Sequence, residues 1–246
     1  MVTVIAGLTF AGGFIAAVVL SGALRGPSTP PAQPAVGDAG ASCIGDSLVG
    51  TVSVASVTAR AQPSPTAKAV DTFQAMAPYG VPQVFALEDR AVGPNGGVWY
   101  KALLPVKPNG SSAYIPQSAV HLSTSPYRLV VNLDDRQMAL YRHCDRGAVY
   151  PVAVGKPTTP TPRGHFYLTG LFKPDPNSVY GSYAYSLSAH SEVLTWWKFG
   201  GIVGLHGTND PSSIGKNVTH GCIRLRNADI TKLARMLPIG TPITVE

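Results

Sequence analysis

HGTNDPSSIGKNVTHGCIRLRN, residues 206–227, is the stretch on which the reading of this 246-residue chain turns. It holds two histidines, a cysteine and an arginine separated by glycines and turn residues, with no helical or strand period running through it. A free thiol with a pKa near 8.5 is only about 3% ionised at pH 7, so a nucleophilic cysteine needs an imidazole beside it. His206, brought in from a separate segment, suits that role better than His220. At i, i+2 from Cys222, His220 shares its face in an extended strand and reaches outward rather than toward the sulfur. Gly221 lets the backbone approach a substrate, and the amides of Gly221 and Cys222 are candidate donors to a developing oxyanion, one such donor being worth about 2.7 to 4 kcal/mol. Arg224 falls on the Cys222 face, where its fixed fork matches a carboxylate. A structural ion pair is the other reading of Arg224, and support of the nucleophile strand is the other reading of His220. Zinc is a poor fit, because His206, His220 and Cys222 come without a C-x-x-C or H-E-x-x-H frame.

The run H206-G-T, then S213-x-G215 and T219-H-G-C-I-R-L225, resembles the signature of the L,D-transpeptidases with a YkuD-type catalytic domain, enzymes that remodel bacterial peptidoglycan. The resemblance extends over about residues 125–246. It includes G155-K-P and T159-PTPRGHF-166, a slightly expanded form of a G-K-x-x-T-P-x-G-x-F stretch ahead of the catalytic half, with His165 in place of a commoner small or polar residue. It implies Cys222 as the acyl-enzyme nucleophile and His206 as its general base, oriented by a backbone carbonyl, that of Gly207, with Gly221 at the oxyanion. It places Thr219, His220 and Arg224 around the substrate. The aromatic stretch Phe172 to Phe199 resembles the loop that covers the donor site, with Tyr185 and Trp197 as candidate substrate contacts. The implied reaction is formation of 3→3 cross-links through a cysteine thioester, with D-Ala released from tetrapeptide stems and no cofactor or metal. L,D-carboxypeptidase activity at the same site is the alternative, as is a silent wall-binding protein. Carbapenem-type β-lactams are implied as acylating agents.

The remainder of the chain suits an enzyme of the cell envelope, outside the cytoplasm. Val2 to Leu24 carries no charged residue, and at 1.5 Å per residue it spans about 35 Å, enough for a hydrocarbon core of about 30 Å. Residues 1–24 are therefore expected to be a transmembrane anchor or a signal segment removed on secretion. Residues 25–47 form a linker whose PSTPPAQPAVGDAGA run cannot bury a core. Nineteen basic against thirteen acidic residues give a net charge of +6. With no block of consecutive Lys or Arg, that charge suits an anionic wall rather than nucleic acid.

Residues 48–123 alternate short apolar segments with turn chemistry such as GPNGG and KPNGSS, which predicts a small all-β domain. V57-T-A-R60, G97-V-W-Y-K-A102 and N109-GSSAYI-115 resemble a bacterial SH3-like module. The expected fold is thus mainly β: a small SH3-like barrel, then a YkuD-type β-sandwich or mixed-β domain over 125–246. In that second domain, R128–L133 and Q137–R142 predict a hairpin, and A148–V154 a third strand. Ile230, Leu233, Ala234 and Leu237 predict a short helix capped by Asn227, and T241–V245 a last strand. Three cysteines suggest one disulfide and one functional thiol, with Cys43 and Cys144 the pair available if Cys222 stays free; two unpaired cysteines are the other reading of Cys43 and Cys144.

Overall fold

The computed structural model describes residues 45–196 and 201–246. The expected membrane segment, residues 25–44 of the expected linker, Cys43 and Trp197 lie outside them, and the linker's last residue, Ser47, opens the first strand. No described helix is long and apolar enough to cross a membrane.

The first half of the described chain runs through nine strands: β1 (Ser47–Val52), β2 (Ser56–Arg60), β3 (Ala69–Gln74), β4 (Met76–Ala77), β5 (Val81–Pro82), β6 (Val84–Val92), β7 (Val98–Leu103), β8 (Ser112–Pro116) and β9 (Val120–Ser125). Seven of them form one sheet in the order β3-β2-β8-β7-β6-β1-β9, and β4 pairs β5. Their alternating sequences put Val57, Phe85, Leu87, Tyr100 and Ile115 into one buried cluster. Trp99 and Tyr100 are both largely buried, at 7% and 8% exposure; Tyr100 belongs to the core cluster, whereas Trp99 lines an open groove with Arg60, Pro94 and Pro116.

The second half contains β10 (Tyr127–Asn132), β11 (Gln137–Arg142), β12 (Asp145–Pro151), β13 (Val154–Gly155), β14 (Gly164–Phe172), β15 (Ala184–His190), β16 (Ile202–His206), β17 (Asn217–Thr219), β18 (Ile223–Arg224), the helix α1 (Asn227–Ala234) and β19 (Pro242–Val245). Eight of its strands form a sheet in the order β12-β11-β10-β19-β14-β15-β16-β18, and β13 pairs β17 separately. The expected hairpin is present, with Leu129 opposite Leu140 and Val131 opposite Met138, all four buried. The expected third strand divides. Val152 and Ala153 leave the ladder because Ala153 makes an isolated bridge with Arg224, beside the site described below. The last strand, β19, sits at the middle of the sheet, parallel to β10 and antiparallel to β14.

Helix α1 presents Ile230 and Leu233 to the core, with Asp229 in its first turn and Lys232 in its last complementing the helix dipole. It ends one turn earlier than Leu237, where Pro238 and Gly240 turn the chain. Tyr185 Oη lies 3.3 Å from Leu233 O and 2.9 Å from Leu237 O; Leu233 O already accepts from Met236 N and Leu237 N, so the hydroxyl proton serves chiefly the Leu237 carbonyl beyond the helix end.

The two sheets are joined by a dry contact. Val49, Val84, Leu103 and Tyr167 form a buried cluster, and Tyr167 Oη donates to Val84 O at 3.1 Å. Gly240, at φ +90°, lies against Val49 so closely that a Cβ would overlap its side chain. Asn109 adds a clasp, Nδ2 donating to His190 O at 2.8 Å and Oδ1 accepting from His190 N at 2.9 Å. Val84 O also accepts from Gln83 Nε2 at 3.0 Å. Tyr167→Phe therefore loses one hydrogen bond without orphaning the carbonyl and is expected to cost about 1 kcal/mol. Gly240→Ala combines a clash with a left-handed backbone and is expected to cost about 2 kcal/mol or more. Urea denaturation of both variants checks the order.

Candidate active site

The residues of 206–227 meet because β16 and β18 lie side by side and parallel, with Leu205 opposite Ile223 and His206 opposite Arg224. That register places Cys222 alongside Gly204, whose N–H points at Cys222 Sγ from 3.4 Å. A Cβ built on Gly204 would stand 3.4 Å from His206 Cδ2 and 3.7 Å from Cys222 Sγ. The bare glycine keeps open the space that the imidazole and the sulfur share.

Backbone bonds fix the cysteine from both sides. Arg224 exchanges two hydrogen bonds with Ala153, of 2.8 and 2.9 Å, on the edge away from β16. The preceding turn is closed by Thr219, which is fully buried. Its hydroxyl donates to Cys222 O at 2.6 Å and accepts from Gly221 N at 3.1 Å. Gly221 takes φ +115°, in the region open to glycine without strain. The T159-P-T-P stretch braces this turn from behind, because Thr159 Oγ1 and Lys156 N both donate to Thr219 O. Gly155 N in turn donates to Thr161 Oγ1 at 2.9 Å.

His206 is 1% exposed. Its Nδ1 lies 2.6 Å from Gly207 O. A carbonyl can only accept, so Nδ1 carries the proton and Nε2 the lone pair. Tyr180 stands edge-on to the imidazole, with ring centroids 4.9 Å apart at 75°. Burial pulls the His206 pKa down to about 4, against the Gly207 bond that favours the cation and with a further push from Arg224. The Cys222 thiol is free and partly exposed. Burial of the sulfur raises its pKa, opposed by the Gly204 N–H and by Arg224. Both shifts favour the neutral forms. The resting pair is imidazole and thiol, not the ion pair that Cys–His chemistry suggests from sequence.

A protein-family profile for the L,D-transpeptidase catalytic domain, YkuD, matches residues 126–245. A Bacillus licheniformis protein named as the L,D-transpeptidase YkuD is 39% identical over 152 residues, covering 59% of this chain and 85% of that one. The chain belongs to the L,D-transpeptidase family. A Bacillus subtilis relative, named as the L,D-transpeptidase YqjB, is 33% identical over 134 residues, covering 50% of this chain and 73% of that one. Among solved structures, an L,D-transpeptidase from Mycobacterium smegmatis is 19% identical, with a TM-score of 0.40, over 66% of this chain and 99% of that one.

In this member of the family, several residues expected at the substrate are structural. Thr219 is enclosed in the nucleophile turn, at 0% exposure, with its hydroxyl bonded to Cys222 O and Gly221 N. Tyr185 is 1% exposed with its hydroxyl on the end of α1, so it is core and not part of a covering loop. The Gly221 amide is taken by Thr219, which leaves the Cys222 amide as the candidate oxyanion donor of that turn. His220 is exposed beside the site. Arg224 is partly buried, and its Nε has no hydrogen-bond partner among the described residues. His165 is a strand residue paired with Thr244 Oγ1, remote from the cysteine. Gly204 joins the site without having been singled out for it, and Tyr180 comes to it from the aromatic stretch 172–199 expected to cover the donor site. An unremarkable I-V-G-L-H strand gives no local sign that its glycine will face a sulfur.

The His206 shift has a consequence for stability. Between pH 6.5 and about 4, the unfolded chain holds a proton on His206 that the folded chain does not. Stability is therefore full above pH 6.5 and falls as the pH drops through that window, by about 3 kcal/mol at pH 4. Urea midpoints from pH 7 to 4 should show this slope in the wild type, and His206→Gln should flatten it.

Proposed function

We propose that this chain is a peptidoglycan L,D-transpeptidase that forms 3→3 cross-links through a Cys222 thioester. The observation that carries the reading is a free, partly exposed thiol held by backbone bonds beside a buried neutral imidazole, in a chain of this family. His206 Nε2 takes the thiol proton as sulfur attacks the carbonyl carbon of the third stem residue, a diamino acid, at its L-centre. The S–C bond forms and the carbonyl oxygen takes up the charge, facing the Cys222 N–H. Collapse of this intermediate breaks the amide C–N bond. His206 returns the proton to the departing D-Ala amine and a thioester remains. The side-chain amine of a neighbouring stem then attacks the thioester. Its proton passes by way of His206 to the sulfur as the C–S bond breaks, giving the new amide.

Arg224 and His220 border this path, and the Arg224 guanidinium is the group for a stem carboxylate. An oxidising compartment fits the disulfide made by Cys144. With Val2 to Leu24 as anchor or signal segment, the catalytic domain works in the cell envelope. The SH3-like reading of residues 48–123 adds a module that orients the enzyme on the wall. Carbapenems would acylate Cys222 by ring opening, with no leaving group lost.

Incubation with a purified disaccharide tetrapeptide, read by mass spectrometry, tests the reading. The expected product is a dimer formed with loss of one D-Ala and absent with Cys222→Ala. Tripeptide without dimer would mean L,D-carboxypeptidase activity. No reaction from folded, reduced protein would overturn the enzymatic reading. A carbapenem should add its whole mass to the wild type and nothing to Cys222→Ala. Because free His206 protonates near pH 4, the acid limb of kcat/KM should lie near 4 rather than 6.5.

A further inference from the structure

Asn227 stands where the sequence calls for a helix cap, yet it caps nothing. It is the first residue of α1, the N-cap position is Arg226, and no side chain makes a capping bond there. The Asn227 carboxamide is turned to two other segments. Its Oδ1 accepts from Ser182 N at 3.2 Å and Thr208 N at 3.0 Å, and its Nδ2 donates to Thr208 O at 3.0 Å. Ser182 reinforces the arrangement, its hydroxyl donating to Asn227 O at 3.2 Å and lying 2.8 Å from Thr231 Oγ1. Gly181 and Gly207 both approach Oδ1 so closely that a Cβ on either would overlap it.

These two segments hold the groups that contact the His206 ring. Gly207, one residue before Thr208, supplies the carbonyl at 2.6 Å from Nδ1. Tyr180, two residues before Ser182, supplies the ring that stands edge-on to the imidazole. Asn227 itself is exposed, so burial of its side chain does not account for a triply bonded amide at this point. A single carboxamide therefore joins the carbonyl that sets the imidazole tautomer to the loop that covers its ring.

We propose that Asn227 is a positioning residue: by clamping Gly207–Thr208 and Gly181–Ser182 to the start of α1, it fixes the His206 tautomer and ring orientation with Nε2 free to serve Cys222. This rests on the reading of His206 as the general base. Outer-shell partners of this kind typically affect function by about 10- to 100-fold, and an error of about 1 Å in a reacting group costs about 100-fold. Asn227→Ala removes all three amide bonds. Asn227→Asp keeps the acceptor for the two N–H groups but cannot donate to Thr208 O, and it sets a negative charge near the ring. The titratable and charged groups already around the imidazole are Cys222 and Arg224 from the adjoining strand and Tyr180 from the covering loop. Both substitutions leave these in place.

The test is nitrogen NMR of His206 across a pH titration in the wild type, Asn227→Ala and Asn227→Asp, with turnover of the disaccharide tetrapeptide measured alongside. In the wild type a single tautomer, protonated on Nδ1, is expected. Asn227→Ala should show both tautomers and a titration moved up toward 6.5, because release of the Tyr180 segment lets water reach the ring and burial, the largest cause of the low value, outweighs the weakened Gly207 bond; kcat should fall about 10- to 100-fold and KM change far less. Asn227→Asp should keep more of the Nδ1–H tautomer than Ala does while raising the titration midpoint through its charge. If Asn227→Ala does not fold, the Asp variant carries the comparison. An unchanged tautomer and midpoint in a folded variant would overturn the proposal, leaving Asn227 a tie between loops. A changed tautomer in a protein whose wild type turns nothing over would support the clamp while sinking the assignment of His206 as base.

Discussion

The site depends on one pairing, the parallel register of β16 and β18. Because side chains alternate along a strand, a slip of one residue would send either Cys222 or His206 to the opposite face. Two short ladders prevent that slip: β16 holds one edge of the nucleophile strand, and Ala153 holds the other through its two bonds to Arg224. The division of the third strand at Val152 follows from this. The chain gives up continuous pairing with β11 so that its next residues can brace the cysteine. Behind them, the 155–161 stretch and Thr219 form a chain of hydrogen bonds that ends on the Cys222 carbonyl.

Burial then determines the chemistry. A cysteine beside an exposed histidine can rest as an ion pair, but here the imidazole is enclosed by Tyr180, the Gly207 carbonyl and the sheet, and the nearest cation is Arg224. Desolvation and that positive charge both disfavour an imidazolium. The same arginine favours a thiolate, but not enough to overcome the sulfur's own burial. At neutral pH the proton therefore stays on the resting sulfur, and the thiolate, which is the form that reacts, is scarce.

Much of this was legible in the sequence, for physical reasons. The strands of 127–142 alternate cleanly, and their turn uses Arg136 at φ 53°. Ile230 and Leu233 keep helical spacing. Cys222, His206 and Gly207 stood out because glycine-flanked reactive residues have little use as packing. What was not legible came from contacts distant in sequence. Tyr185 reads as one more aromatic in a loop-rich stretch until the end of α1 is seen resting on its hydroxyl. Asn227 satisfies the rule for a helix start, yet its carboxamide is used up by Ser182 and Thr208. Thr219 and Gly221 looked like groups facing a substrate, but each satisfies the other inside the turn.

The chemistry of the site starts from a neutral thiol beside a neutral imidazole. The most direct measurement is the rate of Cys222 alkylation by iodoacetamide from pH 4 to 10, followed at that residue by peptide mapping. A neutral pair gives a rate that climbs with pH, with no plateau below about 8.5, the ordinary thiol value. It also predicts little change in that profile's shape in His206→Gln. A fast, pH-independent plateau between pH 5 and 8 that vanishes in His206→Gln would contradict it, because it would show a preformed thiolate–imidazolium pair.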